Sequence, residues 1–180
     1  MKFFKILTLN LIILSYSNAE GYEKTAQYDS LKIKISQMLI FGIQDAQKVL
    51  EEDSLLEAYA NMHLGGIILF EKNLARKRSK NQLKALVDEI QRISKIPSFV
   101  AIDEEGGNVT RLKSQYGFHE TKTAKYLGNR NNLDSTYYYA KLTSDLLKEL
   151  GINVNLAPTV DLEINDENFI SRAERSYGRD

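Results

Sequence analysis

The sequence predicts an α/β fold of the (β/α)8 barrel type, with about the first half of the barrel carried by this chain. Three observations lead there. Short apolar runs follow glycine or proline, as strands buried on both faces do. Segments with helical apolar spacing separate them, the alternation of a parallel sheet with helical crossovers. The polar motifs fall at the C-terminal ends of the strands, where barrel enzymes gather their sites. A doubly wound open sheet shares the alternation, but no glycine-rich phosphate fingerprint follows the first strand. A complete barrel takes ~250 residues, against 180 here, hence the expectation of a first half.

The elements follow in chain order. Residues 1–19 read as an export signal: Lys2 and Lys5, the mostly apolar run Ile6–Leu14, then the small-x-small site Ser17-Asn18-Ala19. That run is far short of the ~20 apolar residues of a membrane span. An uncleaved anchor or a buried N-terminal helix is the alternative. Residues 20–180 then form the expected barrel part. A polar lead-in over Glu20–Ser30 gives way to a predicted short helix over Leu31–Phe41. A second helix is expected over Asp53–Met62, capped by Asp53 or Ser54 and stopped at Gly65-Gly66. Gly66–Phe70 reads as the first strand. Ser79-x-x-Gln82 has the form of a capping box, opening a helix with Leu83, Leu86, Val87, Ile90 and Ile93 on one face. Pro97 ends it, and Ser98–Ile102 is the second strand. Asp134 is expected to cap a long helix carrying Tyr139, Leu142, Leu146, Leu147 and Leu150, with Gly151 in the left-handed closing position. Ile152–Ala157 is the third strand, ended by Pro158.

Composition narrows the function. Lys and Arg total 24 against 24 Asp and Glu, without the basic excess of a nucleic-acid binder. With no Cys and only His63 and His119, disulfides, thiolate metal sites and a cysteine nucleophile are excluded and a histidine-rich metal site is disfavoured. The cluster Arg76-Lys77-Arg78 with Lys72 and Lys80 reads as a solvated loop and helix start.

The densest chemistry is Asp103-Glu104-Glu105-Gly106-Gly107-Asn108-Val109-Thr110-Arg111, directly behind a strand. Carboxylates there cost desolvation unless paired or ligand-bound. The two glycines permit tight turns and close approach of a ligand. Asp103 can accept hydrogen bonds from ligand hydroxyls, and Arg111 can donate in a rigid fork. A solvated acidic turn with an internal Asp–Arg pair fits the spacing as well. Glu104 and Glu105, being adjacent in a tight loop, should diverge rather than act as a catalytic pair. Tyr116 and Phe118 either border the site or pack inside. Glu174-Arg175-Ser176-Tyr177-Gly178 alone is a charged tail.

Taken together, GGIILF at Gly65–Phe70, IDEEGGNVTRL at Ile102–Leu112, NVNLAPTVDL at Asn153–Leu162 and ERSYG at Glu174–Gly178 stand in an order and spacing that resembles the catalytic domain of glycoside hydrolase family 3. Within it the chain looks most like the bacterial β-N-acetylglucosaminidases. The resemblance implies that Asp103, Arg111 and Arg175 bind the non-reducing sugar. It implies retaining hydrolysis through a covalent glycosyl-enzyme, with the aspartate nucleophile and the acid/base histidine expected beyond residue 180. No catalytic residue is therefore assigned within this chain, and no metal or organic cofactor is implied. The expected partner is an amino-sugar glycan or peptidoglycan fragment, met in the periplasm or outside the cell. No nucleic acid and no stable membrane association after signal cleavage is expected. Two alternatives stand beside this: β-glucosidase specificity, and a non-catalytic truncated remnant.

Overall fold

Among the described residues, four short parallel strands form the sheet: β1 (Ile40–Gly42), β2 (Gly66–Leu69), β3 (Phe99–Ile102) and β4 (Val154–Asn155). The computed structural model describes residues 29–43, 59 and 61–179. The strands lie side by side in chain order, with Ile40 opposite Gly66, Gly66 opposite Phe99, and Ala101 opposite Val154. A barrel winds in this way, each strand beside its predecessor, whereas a doubly wound sheet reverses at a switch point. The α/β barrel-type expectation holds for the part of the domain that is present.

Helices α1 (Ser79–Ile93), α2 (Ala124–Arg130), α3 (Leu133–Leu150) and α4 (Phe169–Arg172) follow in order. The β2–β3 crossover runs through α1 and the β3–β4 crossover through α2 and α3. The core lies between sheet and helices. Ile67 and Leu69 of β2 and Val100 and Ile102 of β3 meet Leu83, Leu86, Val87 and Ile90 of α1 and Leu147 and Leu150 of α3. Each such side chain contributes about 1.5–3 kcal/mol on burial. The helical stripe read from the sequence of α1 is thus the core face, with only Ile93 partly buried. The closing role of Gly151 is also seen, at φ 78°.

Several local expectations are corrected. The segment predicted as one helix over Leu31–Phe41 divides: residues 29–36 are helical, and Ile40–Gly42 form β1. Its apolar end pairs with β2 instead of extending the helical stripe. The helix expected over Asp53–Met62 lies largely outside the described residues, as do the expected export signal and lead-in; residues 59, 61 and 62 are helical. His63, at φ 54°, supplies the left-handed turn after it. Gly65 and Gly66 serve close packing instead: an added Cβ would stand 2.1 Å from the Gln37 carbonyl oxygen and 2.4 Å from that of Phe99. No capping box forms at α1. Ser79 Oγ donates to the Ala75 carbonyl (2.5 Å), and Gln82 bonds Ala75 N–H (2.9 Å) and the Asn73 carbonyl (3.1 Å), so both tie down the preceding loop. Asn132, not Asp134, caps α3, accepting from Ser135 N–H at 2.8 Å. Asp134 sits in the first turn, where its charge suits the helix dipole.

Candidate functional site

The site is built where β3 and β4 end. β3 delivers Asp103, Glu104 and Glu105 in succession, and the three side chains go to three different partners. Glu104 turns inward and is 4% exposed. Its carboxylate accepts from the Thr110 hydroxyl, from Arg111 N–H (2.9 Å) and from Leu112 N–H (3.1 Å). It closes the loop on itself, so its role is structural, in line with the expected divergence of Glu104 and Glu105. Gly106 and Gly107 make the turn with φ of 94° and 55°. A Cβ on Gly107 would stand 2.2 Å from Thr123 Cγ2, so the loop lies directly on the 121–123 segment.

Closing that turn brings Arg111 back over Asp103. Arg111 Nη2 donates to Asp103 Oδ2 at 3.1 Å, and both side chains keep 26% of their surface exposed. The internal Asp–Arg pair allowed by the sequence is therefore present, and it faces solvent enough to be approached. Arg111 Nε is buried without a hydrogen-bond partner among the described residues. Beside Arg111, at the end of β2, Glu71 accepts from Lys113 Nζ (2.6 Å) and from the Tyr116 hydroxyl (2.9 Å). The Lys113 hydrogen bond holds the Glu71 carboxyl below its usual 4.5 against the opposing effect of burial, and the Tyr116 hydrogen bond and the Arg111 charge add to the lowering. Phe70, Glu71, Lys72 and Arg111 border an open hollow here. Tyr116 thus borders the site, whereas Phe118 is core.

Arg175 arrives from the other side. The chain leaves α4, turns at Glu174 in the left-handed region (φ 57°), and points Arg175 at Glu105. Nε donates to Oε2 at 2.9 Å and Nη2 to Oε1 at 2.6 Å, a two-pronged pair, and Nη2 also reaches Thr159 Oγ1 at 3.0 Å. Such paired donors are the geometry that arginine provides and lysine does not. Glu105 raises the pKa of Arg175, with Asp161 and Asp103 adding to the rise. Asp103 thus acts electrostatically on Arg175 while bonding Arg111. The three residues singled out from the sequence are brought together at one strand-end surface. Asn108 Nδ2 further ties the two loops, donating to the Ala173 carbonyl at 3.2 Å.

Sequence reasoning missed several contributors. Asn155 bonds both backbone groups of Glu104: Glu104 N–H donates to Oδ1 (3.0 Å), and Nδ2 donates to the Glu104 carbonyl (3.0 Å). Asn153 does the same at the start of β3, accepting from Val100 N–H (2.8 Å) and donating to the Ser98 carbonyl (3.0 Å). The Asn-x-Asn spacing, with both side chains on one face of a strand, is the signal that could have found them. Glu71 carried no signal beyond its position after a strand, and Glu105, though inside the Asp103–Arg111 motif, gave no sign that its partner is Arg175.

Residues 30–180 match the model of the glycosyl hydrolase family 3 N terminal domain. Beta-hexosaminidase A of Pseudoalteromonas piscicida is 34% identical over 63% of this chain and 20% of its own length. A protein named as an uncharacterized secreted glycosyl hydrolase from Arthroderma benhamiae is 28% identical over 70% of this chain and 35% of its own. Among solved structures, a glycoside hydrolase family 3 beta-N-acetylglucosaminidase from Paenibacillus superposes with a TM-score of 0.68 at 30% identity, over 80% of this chain and 28% of that one. The chain belongs to glycoside hydrolase family 3. It spans between about a fifth and a third of the length of these relatives.

Proposed function

We propose that this chain is the N-terminal part of the catalytic barrel of an exported, retaining β-N-acetylglucosaminidase, and that Asp103, Arg111 and Arg175 hold its non-reducing sugar. One observation carries the reading: two partly exposed arginines are each oriented by a carboxylate of the same strand end, Arg111 by Asp103 and Arg175 by Glu105, with Asp103 also acting electrostatically on Arg175. A sugar ring presents vicinal hydroxyls that both accept and donate. Asp103 accepts from such hydroxyls, and the forks of Arg111 and Arg175 donate to their oxygens. Because the charges are already paired, binding a neutral sugar leaves no unpaired buried charge. Within these residues the work is binding and orientation. The aspartate nucleophile and the proton-transferring histidine belong to later strands of the barrel.

The amino-sugar preference is supported by the names of the relatives, and export by the basic, apolar and small-residue succession of residues 1–19. The test uses the protein expressed from its complete coding sequence. It should cleave an aryl N-acetylglucosaminide in preference to an aryl glucoside, and Arg111→Ala should raise KM for the preferred substrate at least about tenfold, the loss of one charge-assisted contact. Preference for the glucoside overturns the amino-sugar assignment, and an unchanged KM removes Arg111 from the sugar site.

A further inference from the structure

Arg175 lies on a segment with little regular structure of its own, yet its guanidinium is held on two sides. Three contacts bracket that segment, and all three come from outside it. At its start, Lys125 N–H donates to the Glu174 carbonyl at 3.2 Å. In its middle, α2 presents Gly128 to the backbone of Tyr177: a Cβ on Gly128 would stand 1.6 Å from the Tyr177 carbonyl oxygen and 2.6 Å from its carbon. At its end, Glu163 N–H donates to the Gly178 carbonyl at 2.8 Å. Glu163 in turn accepts from Lys125 Nζ at 2.7 Å, with only 11% of its side chain exposed. The Glu163 hydrogen bond raises the pKa of Lys125, so the ammonium stays charged across the neutral range. Ser176, 3% exposed, stitches the interior of the bracket by donating to the Asp161 carbonyl at 2.8 Å.

We propose that Gly128 and the Lys125–Glu163 pair are positioning residues for Arg175, fixing the height at which the 174–178 segment passes over α2 and hence where the guanidinium meets the sugar. The proposal rests on the reading of Arg175 as a sugar-binding residue. Gly128 has no side chain, so its influence runs entirely through the segment it lets approach. Any larger residue there lifts Tyr177, two positions from Arg175. Lys125 and Glu163 act from both ends of the same bracket, one through its backbone and ammonium, the other through its backbone and carboxylate. A displacement of about 1 Å in a binding group is enough to weaken its contacts markedly.

The experiment uses the complete enzyme, four single variants (Arg175→Ala, Lys125→Met, Lys125→Arg and Gly128→Ala) and the Arg175→Ala/Lys125→Met double variant. Steady-state kinetics on an aryl N-acetylglucosaminide are read with thermal melting of each variant. Lys125→Met is expected to raise KM about tenfold with kcat nearly unchanged, the mark of lost uniform binding. Lys125→Arg, which keeps the ion pair, should restore KM. Combined with Arg175→Ala, Lys125→Met should add no further rise, because both changes act through one contact. If Arg175→Ala leaves KM unchanged, the sugar-site reading itself fails. If Arg175→Ala raises KM but Lys125→Met lowers only the melting temperature, the bracket is structural and the proposal is overturned. Gly128→Ala should raise KM at least as much as Lys125→Met; if it does not fold, the lysine pair of variants decides alone.

Discussion

The two loops that build the site are held in opposite ways. The loop after β3 closes mainly on itself: the Glu104 carboxylate reaches only as far as Leu112, and Gly106 and Gly107 make the turn between, while Asn155 and Thr121 brace the backbone from outside. The loop after β4 has ties of its own, such as Ser176 to the Asp161 carbonyl, but also depends on residues far away in the chain, Glu105, Lys125 and Gly128, the nearest of them 38 positions from its partner. One loop is mainly a unit of sequence; the other draws more on the folded molecule. A compact loop fails all at once when its internal acceptor is lost. A bracketed loop shifts and keeps its fold.

The sharpest way to break this contrast is Glu104→Ala. It leaves two buried backbone N–H groups and a hydroxyl without their carboxylate, and should cost about 3–5 kcal/mol, read by denaturant unfolding of the complete protein. A cost under 1 kcal/mol would mean the loop does not depend on its internal acceptor. Gly107→Ala comes next. It combines a left-handed backbone with contact against Thr123 and should cost about 1–3 kcal/mol in the same measurement. The smallest effect concerns the rim. Glu71 has a lowered pKa, so its pairing with Lys113 stabilises fully above 4.5 and is lost as pH falls through the lowered folded value. The melting temperature of the wild type should exceed that of Glu71→Gln at neutral pH, and the gap should close as pH is taken well below 4.5. A gap that persists in acid would show that the pair contributes through shape and not charge.

The same contrast explains what the sequence disclosed. The Asp103–Arg111 loop could be read as a site because its residues and their partners are neighbours in the chain. So could the core face of α1, whose helical period places Leu83, Leu86, Val87 and Ile90 together. Arg175 drew meaning only from the order of all the motifs, since Gly128 and Glu163 carry no local mark of their purpose. β1 was hidden because its apolar residues continue those of the preceding helix. β4 was foreseen but far too long: only Val154–Asn155 pair as a strand. The side chains of Asn153 and Asn155 bond the β3 backbone beside the short ladder, and strand propensity does not register them. The Asp134 cap was misplaced by two positions, to a residue that suits the helix start electrostatically but bonds no cap N–H.

The amide of Asn155 has a chemical consequence of its own. It needs both ends, one accepting from Glu104 N–H and the other donating to the Glu104 carbonyl. Spontaneous hydrolysis to aspartate would replace the donor by an oxygen facing an oxygen, at the residue that anchors the closed loop. A covalent ageing reaction at one side chain would thus act on the site without touching Asp103, Arg111 or Arg175.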